Sequence, residues 1–333
     1  MDLPSAVSRR STSVGSSGSA AERALVSAVR SFAAKHLHID QVCVGLSGGA
    51  DSLALTAASV RAGLNVHAIV VDHRLQDGSA QVARDAAETA CGLGATAEVV
   101  SVTVDGPGGT EAAARDARYS ALDTARDGRP VLLGHTLDDQ AETVLLGLGR
   151  GAGARSLAGM REWSEPWGRP LLGVRRAETR AACVGWGIPV WDDPHNDDPR
   201  FTRVRVRGEV LPLLEDVLSG GVAQALTRTA MQLSDDADAL DAIAAQRLDG
   251  ARSGGRLDVD SLLRDAPAIR TRVVRLWLQS VGVDAPTYRV VRSVDALIGE
   301  WHGQGPIAIG GDSRSRLVVT RRTRELRAER IPR

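Results

Sequence analysis

VCVGLSGGADSLAL, residues 42–55, is the stretch that decides the fold. Its first five residues are apolar except for Gly45, a pattern typical of a buried central strand in a parallel sheet. Gly48 and Gly49 follow, and two adjacent glycines allow a tight turn that brings the backbone close to a ligand. Asp51 then begins a second apolar run with helical spacing. The stretch therefore predicts a strand, a glycine turn and the first turn of a helix.

The turn between this strand and this helix is suited to an anion. The free backbone N–H groups at a helix N-terminus attract negative charge together with the helix dipole, and a pyrophosphate group fits there. No Gly-Lys-Ser or Gly-Lys-Thr sequence follows the glycines, so this is not the loop that cradles a γ-phosphate. An ordinary strand-to-helix turn is the alternative, but Ser-Gly-Gly-x-Asp-Ser after an apolar strand favours a phosphate site.

A second informative stretch, GHTLDDQAET, occupies residues 134–143. It follows a predicted strand over residues 130–133, so His135 is expected at the carboxyl edge of the sheet, facing the glycine turn. Asp138 and Asp139 are expected to open the next helix, whose positive end tolerates acids. Helix capping explains one of these carboxylates. A pair of them also suits Mg²⁺ bound to ATP, because Mg²⁺ prefers hard oxygen ligands.

Three further groups of side chains are candidates for the site. Asp72 and His73 end a predicted strand over residues 66–71 and therefore fall at the same sheet edge, although such a pair is also common in a plain turn. Two arginines share one face of the helix predicted over residues 110–126, which could equally be a solvated face. A later set of alternate arginines would face one way on a strand, although the neighbouring leucines favour a helix. These arginines are Arg115 and Arg118 in the helix, and Arg203, Arg205 and Arg207 in the later set.

The composition narrows the class of protein. The chain has 333 residues and a formal net charge of zero, so its overall charge does not indicate a nucleic-acid partner. Its three cysteines, Cys43, Cys91 and Cys183, are far apart and give no sign of a C-x-x-C metal site or a disulfide framework. No apolar run is long enough to span a membrane. A cytoplasmic protein with reduced thiols and no membrane partner is expected.

Three parts are expected along the chain. Residues 1–20 are rich in Ser, Gly and Ala and predict a disordered leader. Residues 21–218 alternate strands and helices, which predicts an α/β domain with a doubly wound, mainly parallel sheet. Residues 219–333 predict a smaller, mostly helical domain that ends in a hairpin. The last 22 residues contain three acids and eight arginines, and such a basic tail suits a polyanionic substrate such as tRNA.

The glycine turn carries a family resemblance. Ser-Gly-Gly-x-Asp-Ser resembles the PP-loop of the N-type ATP pyrophosphatases, which cleave ATP to AMP and pyrophosphate while they adenylate a substrate. The resemblance implies that ATP and Mg²⁺ bind here, with Asp51 as a metal ligand. It also implies that Asp72 and His73 contact the adenosine. Phosphate contacts are implied for Ser47, Gly48, Gly49, Ala50 and Ser52.

Further motifs narrow the resemblance to the tRNA(Ile)-lysidine synthetase family, over about residues 24–218. Members adenylate the C2 oxygen of the wobble cytidine in an isoleucine tRNA with a CAU anticodon, and the side-chain amine of free L-lysine then displaces AMP. That tRNA and L-lysine are the implied partners, and a homodimer is left open. The motifs are GHxxDDQxET at residues 134–143, RGxG at 150–153, RPLL at 169–172 and WDDPxNxD at 191–198.

The resemblance and the residue chemistry together assign roles. We expect catalytic roles for Asp51, Asp139 and Arg205, metal binding by these two acids and Asp138, and nucleotide binding by His135. Contacts to the nucleotide or to tRNA phosphate are expected from Arg115, Arg118, Arg203 and Arg205. One departure stands out, because Pro199 and Arg200 occupy the place where the family usually has Arg-Asn.

Three alternatives stay open at the level of sequence. A PP-loop tRNA thiolase that uses a cluster or a persulfide would need paired or catalytic cysteines, and the cysteines here are scattered. A small-molecule amidating enzyme, such as an NAD synthetase, would have little use for a helical domain with a basic tail. A non-catalytic nucleotide-binding module would not need the adjacent acids Asp138 and Asp139 beside an intact glycine turn.

Overall fold

A computed structural model describes residues 18–74, 78–103, 110–151, 153–191 and 198–333. The chain divides into two compact units, Met1–Ala230 and Met231–Arg333. Most of the expected leader lies outside the described residues, and so does most of the WDDPxNxD motif.

Within the described residues, the first unit is built on a sheet of six strands. These strands are β1 (Gln41–Leu46), β2 (Asn65–Asp72), β3 (Thr96–Ser101), β4 (Val131–Leu133), β5 (Trp163–Ser164) and β6 (Trp167–Gly168). Their spatial order is β3-β2-β1-β4-β6-β5. All neighbours pair in parallel except β5, which runs antiparallel to β6. The mainly parallel α/β fold predicted from the sequence is confirmed.

Helices of the first unit connect these strands and cover the sheet. They are α1 (Ala20–His36), α2 (Ala50–Arg61), α3 (Ser79–Gly92), α4 (Thr110–Ala125), α5 (Leu137–Gly149), α6 (Ala154–Leu157), α7 (Arg176–Gly185), α8 (Thr202–Arg205) and α9 (Leu211–Val217). A π-helical turn, Val206–Val210, joins α8 to α9, so the alternate arginines lie on helical backbone, as the leucines indicated.

Alternate residues of β1 show that the core lies on both faces of the sheet. Val42 and Val44 are fully buried in a cluster that includes Phe32 of α1, whereas Cys43 is buried with Leu122 of α4. Successive side chains of a strand point to opposite faces, so α1 and α4 cover opposite faces. Each large apolar side chain buried in this way stabilises the fold by about 1.5–3 kcal/mol.

One strand predicted from the sequence does not form. Residues 188–191 have an apolar pattern that predicts a short strand, but they are irregular in the structure. The N–H of Ile188 donates to the carbonyl of Cys183, and the N–H of Trp191 donates to the carbonyl of Gly48 at 3.3 Å. The backbone hydrogen bonds of this segment therefore go to the end of α7 and to the glycine turn rather than to a neighbouring strand.

The second unit combines helices with an antiparallel sheet. The long helix α10 (Val222–Ala251) leads into it, followed by α11 (Val259–Leu262), α12 (Pro267–Ser280) and α13 (Tyr288–Gly299). The helix predicted over residues 261–281 is thus two helices, because Pro267 begins a new one at its first turn.

The predicted C-terminal hairpin belongs to a larger sheet. Its strands are β7 (Arg252–Ser253), β8 (Arg256–Asp258), β9 (Ile307–Gly311), β10 (Ser315–Arg322) and β11 (Glu325–Pro332). The order is β7-β8-β11-β10-β9, so β10 and β11 are central. Trp277 is fully buried in the core of this unit, and its indole N–H donates to the carbonyl of Gly255 at 3.0 Å. In the part of the chain that is described, no helix is long and apolar enough to cross a membrane.

Candidate active site

The glycine turn after β1 is held in shape by one buried serine. The Ser52 hydroxyl accepts a hydrogen bond from the backbone N–H of Ser47 at 3.1 Å and donates to the carbonyl of Gly49 at 3.0 Å. Gly48 has φ of +85°, which a residue with a side chain rarely adopts. No side chain caps the first turn of α2. The turn therefore presents the open helix start that an anion requires.

Gly134 brings the end of β4 against this turn. A Cβ atom at this position would lie 3.0 Å from the backbone of Asp51 and Ser52, a contact tighter than most Cβ atoms make, so this backbone would have to move away. The absence of a side chain therefore lets GHTLDDQAET pack directly on the start of α2. As predicted, the two sequence motifs meet at the carboxyl edge of the parallel strands.

The acids of both motifs surround one arginine that the sequence reasoning missed. Arg176, the first residue of α7, places its Nε 3.2 Å from Oδ2 of Asp51 and its Nη2 2.6 Å from Oδ1 of Asp139. Its Nη1 lies 3.3 Å from Oε1 of Glu142, whose side chain is fully buried. We call these four residues the carboxylate cluster. Thr179 adds a hydrogen bond from its hydroxyl to Asp51.

The two aspartates of the carboxylate cluster differ in charge preference. Burial raises the pKa of Asp51, and the hydrogen bond from Thr179 and the charge of Arg176 do not cancel the effect. Burial acts in the same direction on Asp139, but Arg176 and the hydrogen bonds from Thr136 outweigh it, so the pKa of Asp139 is lowered. Burial opposes the charge of Arg176, yet the surrounding carboxylates raise the pKa of its guanidinium above the ordinary value.

Asp138 and Asp139 point to different partners. Asp139 closes a capping box at the start of α5, where its Oδ2 accepts hydrogen bonds from the N–H and the hydroxyl of Thr136, both at 2.8 Å. Its other oxygen faces Arg176. Asp138 instead pairs with Arg175 at 3.0 Å and accepts from the backbone N–H of Arg176 at 2.7 Å. Capping and cluster formation are thus both functions of Asp139, whereas the hydrogen bonds of Asp138 go to Arg175 and to the backbone of Arg176.

The alternate arginines divide between two directions. Arg207 reaches Glu142 at 2.8 Å, and Arg203 reaches the same carboxylate at 3.4 Å. Arg205 pairs with the exposed Glu209 at 2.8 Å and is itself well exposed. Residues four apart share one face of a helix, whereas a residue two positions away lies on another face. The structure therefore brings Arg203 and Arg207 to the carboxylate cluster and leaves Arg205 at the surface.

The remaining predicted residues lie at the ends of β2 and β4 and on α4. Asp72 is buried and accepts from the N–H of Arg74 at 3.0 Å. Burial lowers the pKa of His73, and it lowers the pKa of His135 to about 3, so both imidazoles are neutral near pH 7. Burial also lowers the pKa of Arg118. Arg115 is exposed, with its guanidinium carbon 5.0 Å from the centre of the Tyr119 ring.

The oxygens of the carboxylate cluster suit a cation. Asp51 and Asp139 already hold the guanidinium of Arg176 between them, so both oxygens can share a positive charge. Mg²⁺ at nucleotide sites takes one or two carboxylates together with phosphate oxygens and water. The donor set therefore fits Mg²⁺ that arrives with a nucleotide. In the described ranges, no three acid, histidine or cysteine side chains are arranged as a complete metal site.

The departure from the family pattern lies beside residues that are not described. Arg200 forms an ion pair with Asp198 at 2.6 Å, and its side chain is 81% exposed. Residues 192–197 lie outside the described part, so the expected WDDPxNxD contacts stay predictions.

Comparison with known proteins extends over both units. Residues 21–214 match the PP-loop domain family ATP_bind_3, and residues 257–325 match the TilS substrate binding domain. The tRNA(Ile)-lysidine synthase of Rhodococcus erythropolis is 57% identical over 90% of this chain and 93% of its own length. The tRNA(Ile)-lysidine synthase of Mycobacterium bovis is 55% identical over 92% of this chain and 97% of its own length.

A solved structure supports the fold at greater distance. The U34-tRNA thiolase NcsA from Methanococcus maripaludis, solved with its [4Fe-4S] cluster, superposes with a TM-score of 0.52 at 19% identity. The superposition covers 64% of this chain and 79% of the thiolase chain. At this identity the likeness shows a shared fold alone. The resemblance found in the sequence motifs is confirmed by the relatives that span nearly the whole chain, and the chain belongs to the tRNA(Ile)-lysidine synthase family of PP-loop proteins.

Proposed function

We propose that this chain is an ATP-dependent ligase that joins L-lysine to C2 of the wobble cytidine in tRNA(Ile) with a CAU anticodon. AMP and pyrophosphate are the other products. The observation that carries the proposal is the meeting of the glycine turn with the carboxylate cluster, in a chain 57% identical to a tRNA(Ile)-lysidine synthase. The proposal also includes a cytoplasmic location and leaves a homodimer to be tested by the mass of the protein in solution.

In the first step the glycine turn binds the departing pyrophosphate of ATP. Backbone N–H groups at the start of α2 stabilise the negative charge that grows on the leaving phosphates. Asp51 and Asp139 would hold Mg²⁺, which when bound neutralises phosphate charge. Arg176 supports the same transfer, since its guanidinium lies within 3.3 Å of three carboxylates and offsets their mutual repulsion before ATP arrives.

In the second step the amine of lysine attacks the activated cytidine. A lysine ammonium must lose a proton before it can act as a nucleophile, so a carboxylate has to accept that proton. Glu142 is a poor candidate, because its buried carboxylate is already paired with Arg176 and Arg207. The attack forms the carbon–nitrogen bond at C2, and AMP then leaves with the oxygen that had been attached to C2.

The two buried cysteines disfavour the rival function of a tRNA thiolase. Cys43 and Cys183 are fully buried in apolar clusters. Burial raises the pKa of Cys43, and it raises the pKa of Cys183 to about 11. A reactive or metal-binding cysteine has to reach the thiolate form, which such burial opposes.

The second unit is proposed to bind tRNA. It contains the match to the TilS substrate binding domain and the arginine-rich strands β10 and β11. Leu317, Val319 and Leu326 of these strands are buried, so deletion of residues 312–333 would remove core strands and could not isolate an RNA contact. Replacement of the exposed Arg314 and Arg316 by alanine is the better test, with the exposed Arg84 of α3 as the matched control.

The deciding experiment measures lysine transfer to RNA. Labelled L-lysine is incubated with the protein, ATP and total tRNA, and label in acid-precipitable RNA is counted. We expect label that depends on ATP, with AMP and pyrophosphate formed in equal amounts. Pyrophosphate release that needs neither lysine nor tRNA would contradict the proposal, and the absence of any release would indicate a binding module.

A further inference from the structure

RPLL, residues 169–172, is the motif to which neither the sequence nor the proposed function assigns a role. Arg169 directly follows β6, and its backbone N–H donates to the carbonyl of Glu162 at 2.8 Å. The residue is only 8% exposed. Its Nη1 donates to the carbonyl of Arg161 at 3.1 Å, whereas its Nε is buried and has no hydrogen-bond partner among the described residues.

The strand pattern directs Arg169 towards α4. Trp167 packs edge-on against Tyr119 of α4, with ring centres 4.7 Å apart. Residues two apart on an extended chain point to the same side, so Arg169 continues the side of Trp167 that faces α4. His135 lies two residues after Leu133, and His73 lies two residues after Val71. Leu133 and Val71 belong to the apolar cluster on the α4 side of the sheet, so both histidines are expected on that side.

Four side chains from different elements thus face one place, and each contains an unsatisfied buried nitrogen. They are His73, Arg118, His135 and Arg169, which we call the edge cluster; the unsatisfied atoms are Nδ1 of both histidines and Nε of both arginines. The positive charges of Arg169 and Arg118 also help to lower the pKa of His135. Native proteins leave few buried polar atoms unpaired, so four in one cluster indicate a site built for a ligand.

The charge of the edge cluster defines the ligand. Its two imidazoles are neutral near pH 7, and no ion pair joins Arg118 or Arg169 to a carboxylate within the described ranges. A guanidinium that loses water without gaining a counter-ion is costly to the fold. A guanidinium also matches the planar, two-oxygen edge of a phosphate or a carboxylate.

We propose that Arg169 binds an anionic oxygen group of a small-molecule substrate, which is either the phosphate of the adenylate or the α-carboxylate of lysine. The inference rests on the proposed function, because that function supplies both anions. It adds a binding residue on the α4 side of the sheet, in a motif that is otherwise without a role. It also explains why an arginine is kept where the fold provides no acid for it.

The test compares ligand binding by Arg169→Met with binding by the wild type, using thermal shifts. Binding to the folded state raises the melting temperature in proportion to the logarithm of ligand concentration over Kd. AMP and adenosine form one arm and differ by the phosphate. L-Lysine and cadaverine form the other arm and differ by the carboxylate. Arg270→Met is the control, because the side chain of Arg270 is only 13% exposed but is paired with Asp295 at 2.6 Å.

The expected result separates binding from structure. Arg169→Met should bind AMP or L-lysine at least about tenfold more weakly, with adenosine and cadaverine unaffected. The affected arm identifies the anion. Arg270→Met should melt earlier while it retains both ligand affinities. If Arg169→Met fails to fold, Arg169→Lys keeps the charge without the planar fork and should show the same selective weakening.

Two results would overturn the proposal. The first is that Arg169→Met binds both AMP and L-lysine within about twofold of the wild type. The second is that the wild type binds neither. Failure of the proposed function is a different outcome, in which wild-type protein transfers no lysine to tRNA although AMP binding still depends on Arg169.

Discussion

Two partly buried arginines, one in each unit, are held by carboxylates in different ways. Arg270 directs Nε and Nη2 to the two oxygens of a single acid, Asp295, at 2.6 and 3.2 Å. Arg176 instead distributes its nitrogens over three acids on two helices. A two-point fork on one carboxylate fixes geometry and favours stability. We expect that a guanidinium shared among three carboxylates can be exchanged for another cation, which would distinguish a site for chemistry from a structural ion pair.

The largest expected effect comes from removing each arginine in turn. Arg176→Met and Arg270→Met should each lower the free energy of unfolding by up to about 3–5 kcal/mol, because carboxylates lose a guanidinium partner, although Arg207 stays on Glu142 and Arg292 on Asp295. Millimolar Mg²⁺ should restore part of this loss in Arg176→Met alone, since that variant leaves three carboxylates facing one another. Urea unfolding with and without Mg²⁺ measures the effect. An equal response of both variants would remove the distinction between the two arginines.

Asp51→Asn should separate activity from stability. We expect at least about a hundredfold loss of pyrophosphate formation, equivalent to about 2.7 kcal/mol in the barrier, because a charged ligand is lost. The raised pKa of Asp51 means that the fold disfavours its charged form, so the neutral variant should be as stable as the wild type or more stable. Pyrophosphate release and thermal melting give the two readings. Near-normal release by a folded variant would exclude Asp51 as a metal ligand.

Asp139→Asn sharpens the same comparison, because here the folded pKa is lowered. The variant should lose activity to a similar extent and also lose stability at neutral pH. A lowered pKa contributes stability above the unfolded value of about 3.9, and that contribution disappears as the pH falls through the folded value. The stability difference from wild type should therefore shrink in acid. An identical Mg²⁺ dependence of activity in variant and wild type would reduce Asp139 to a helix cap.

Arg205 and Arg207 offer a smaller contrast on a single stretch of helix. Arg205→Ala should lower lysine transfer about tenfold through a weaker tRNA contact, and should lower the slope of log affinity against log salt by about 0.7–0.9. Its melting temperature should not change, since the pair with Glu209 is exposed. Arg207→Ala should melt earlier, because the buried Glu142 loses a partner. Loss of stability without loss of transfer in Arg205→Ala would make its ion pair structural.

His135→Gln should change how the stability depends on pH, and this part of its effect should be visible only in acid. The pKa of His135 is lowered to about 3, so between that value and about 6.5 the unfolded chain binds a proton that the folded chain does not. Wild-type stability should therefore fall as the pH drops through this window, by up to about 1.4 kcal/mol per pH unit, and the variant should lack this part. Unfolding curves between pH 7 and 4 measure both proteins. If His135 were solvated, the free energies of unfolding of variant and wild type would change with pH in parallel.

The mainly parallel sheet and the meeting of the two motifs could be predicted from the sequence. Apolar runs that end in Gly48 and Gly134 marked the parallel strands, and the carboxyl ends of such strands share one edge. Arg176 could not be identified in this way, because its partners lie far away in sequence. One signal was available: Arg175 and Arg176 begin a helix, whose positive end disfavours cations unless acids hold them.

The direction of the alternate arginines was missed for a different reason. The sequence pattern of Arg203, Arg205 and Arg207 allowed a strand or a helix. On a strand all three would face the same side, whereas on a helix only Arg203 and Arg207 share a face. The helical choice was favoured by the leucines, but its consequence for Arg207 depends on where Glu142 lies. The lack of a hydrogen-bond partner for Nε of Arg169 likewise depends on the side chains packed around it. A sequence pattern does not show which residues surround a side chain in the fold.

The carboxylate of Asp139 both caps a helix and pairs with Arg176, and these two contacts restrict its side chain. One oxygen closes the helix cap and the other faces Arg176, so rotation of the carboxylate is already restricted when the chain folds. The entropy of ordering this ligand is lost during folding and not again when a substrate binds. Glutamate also closes capping boxes, but it has one more rotatable bond, so holding it on both neighbours would cost more side-chain entropy. The short side chain of Asp139 therefore lowers the entropy cost of its double role.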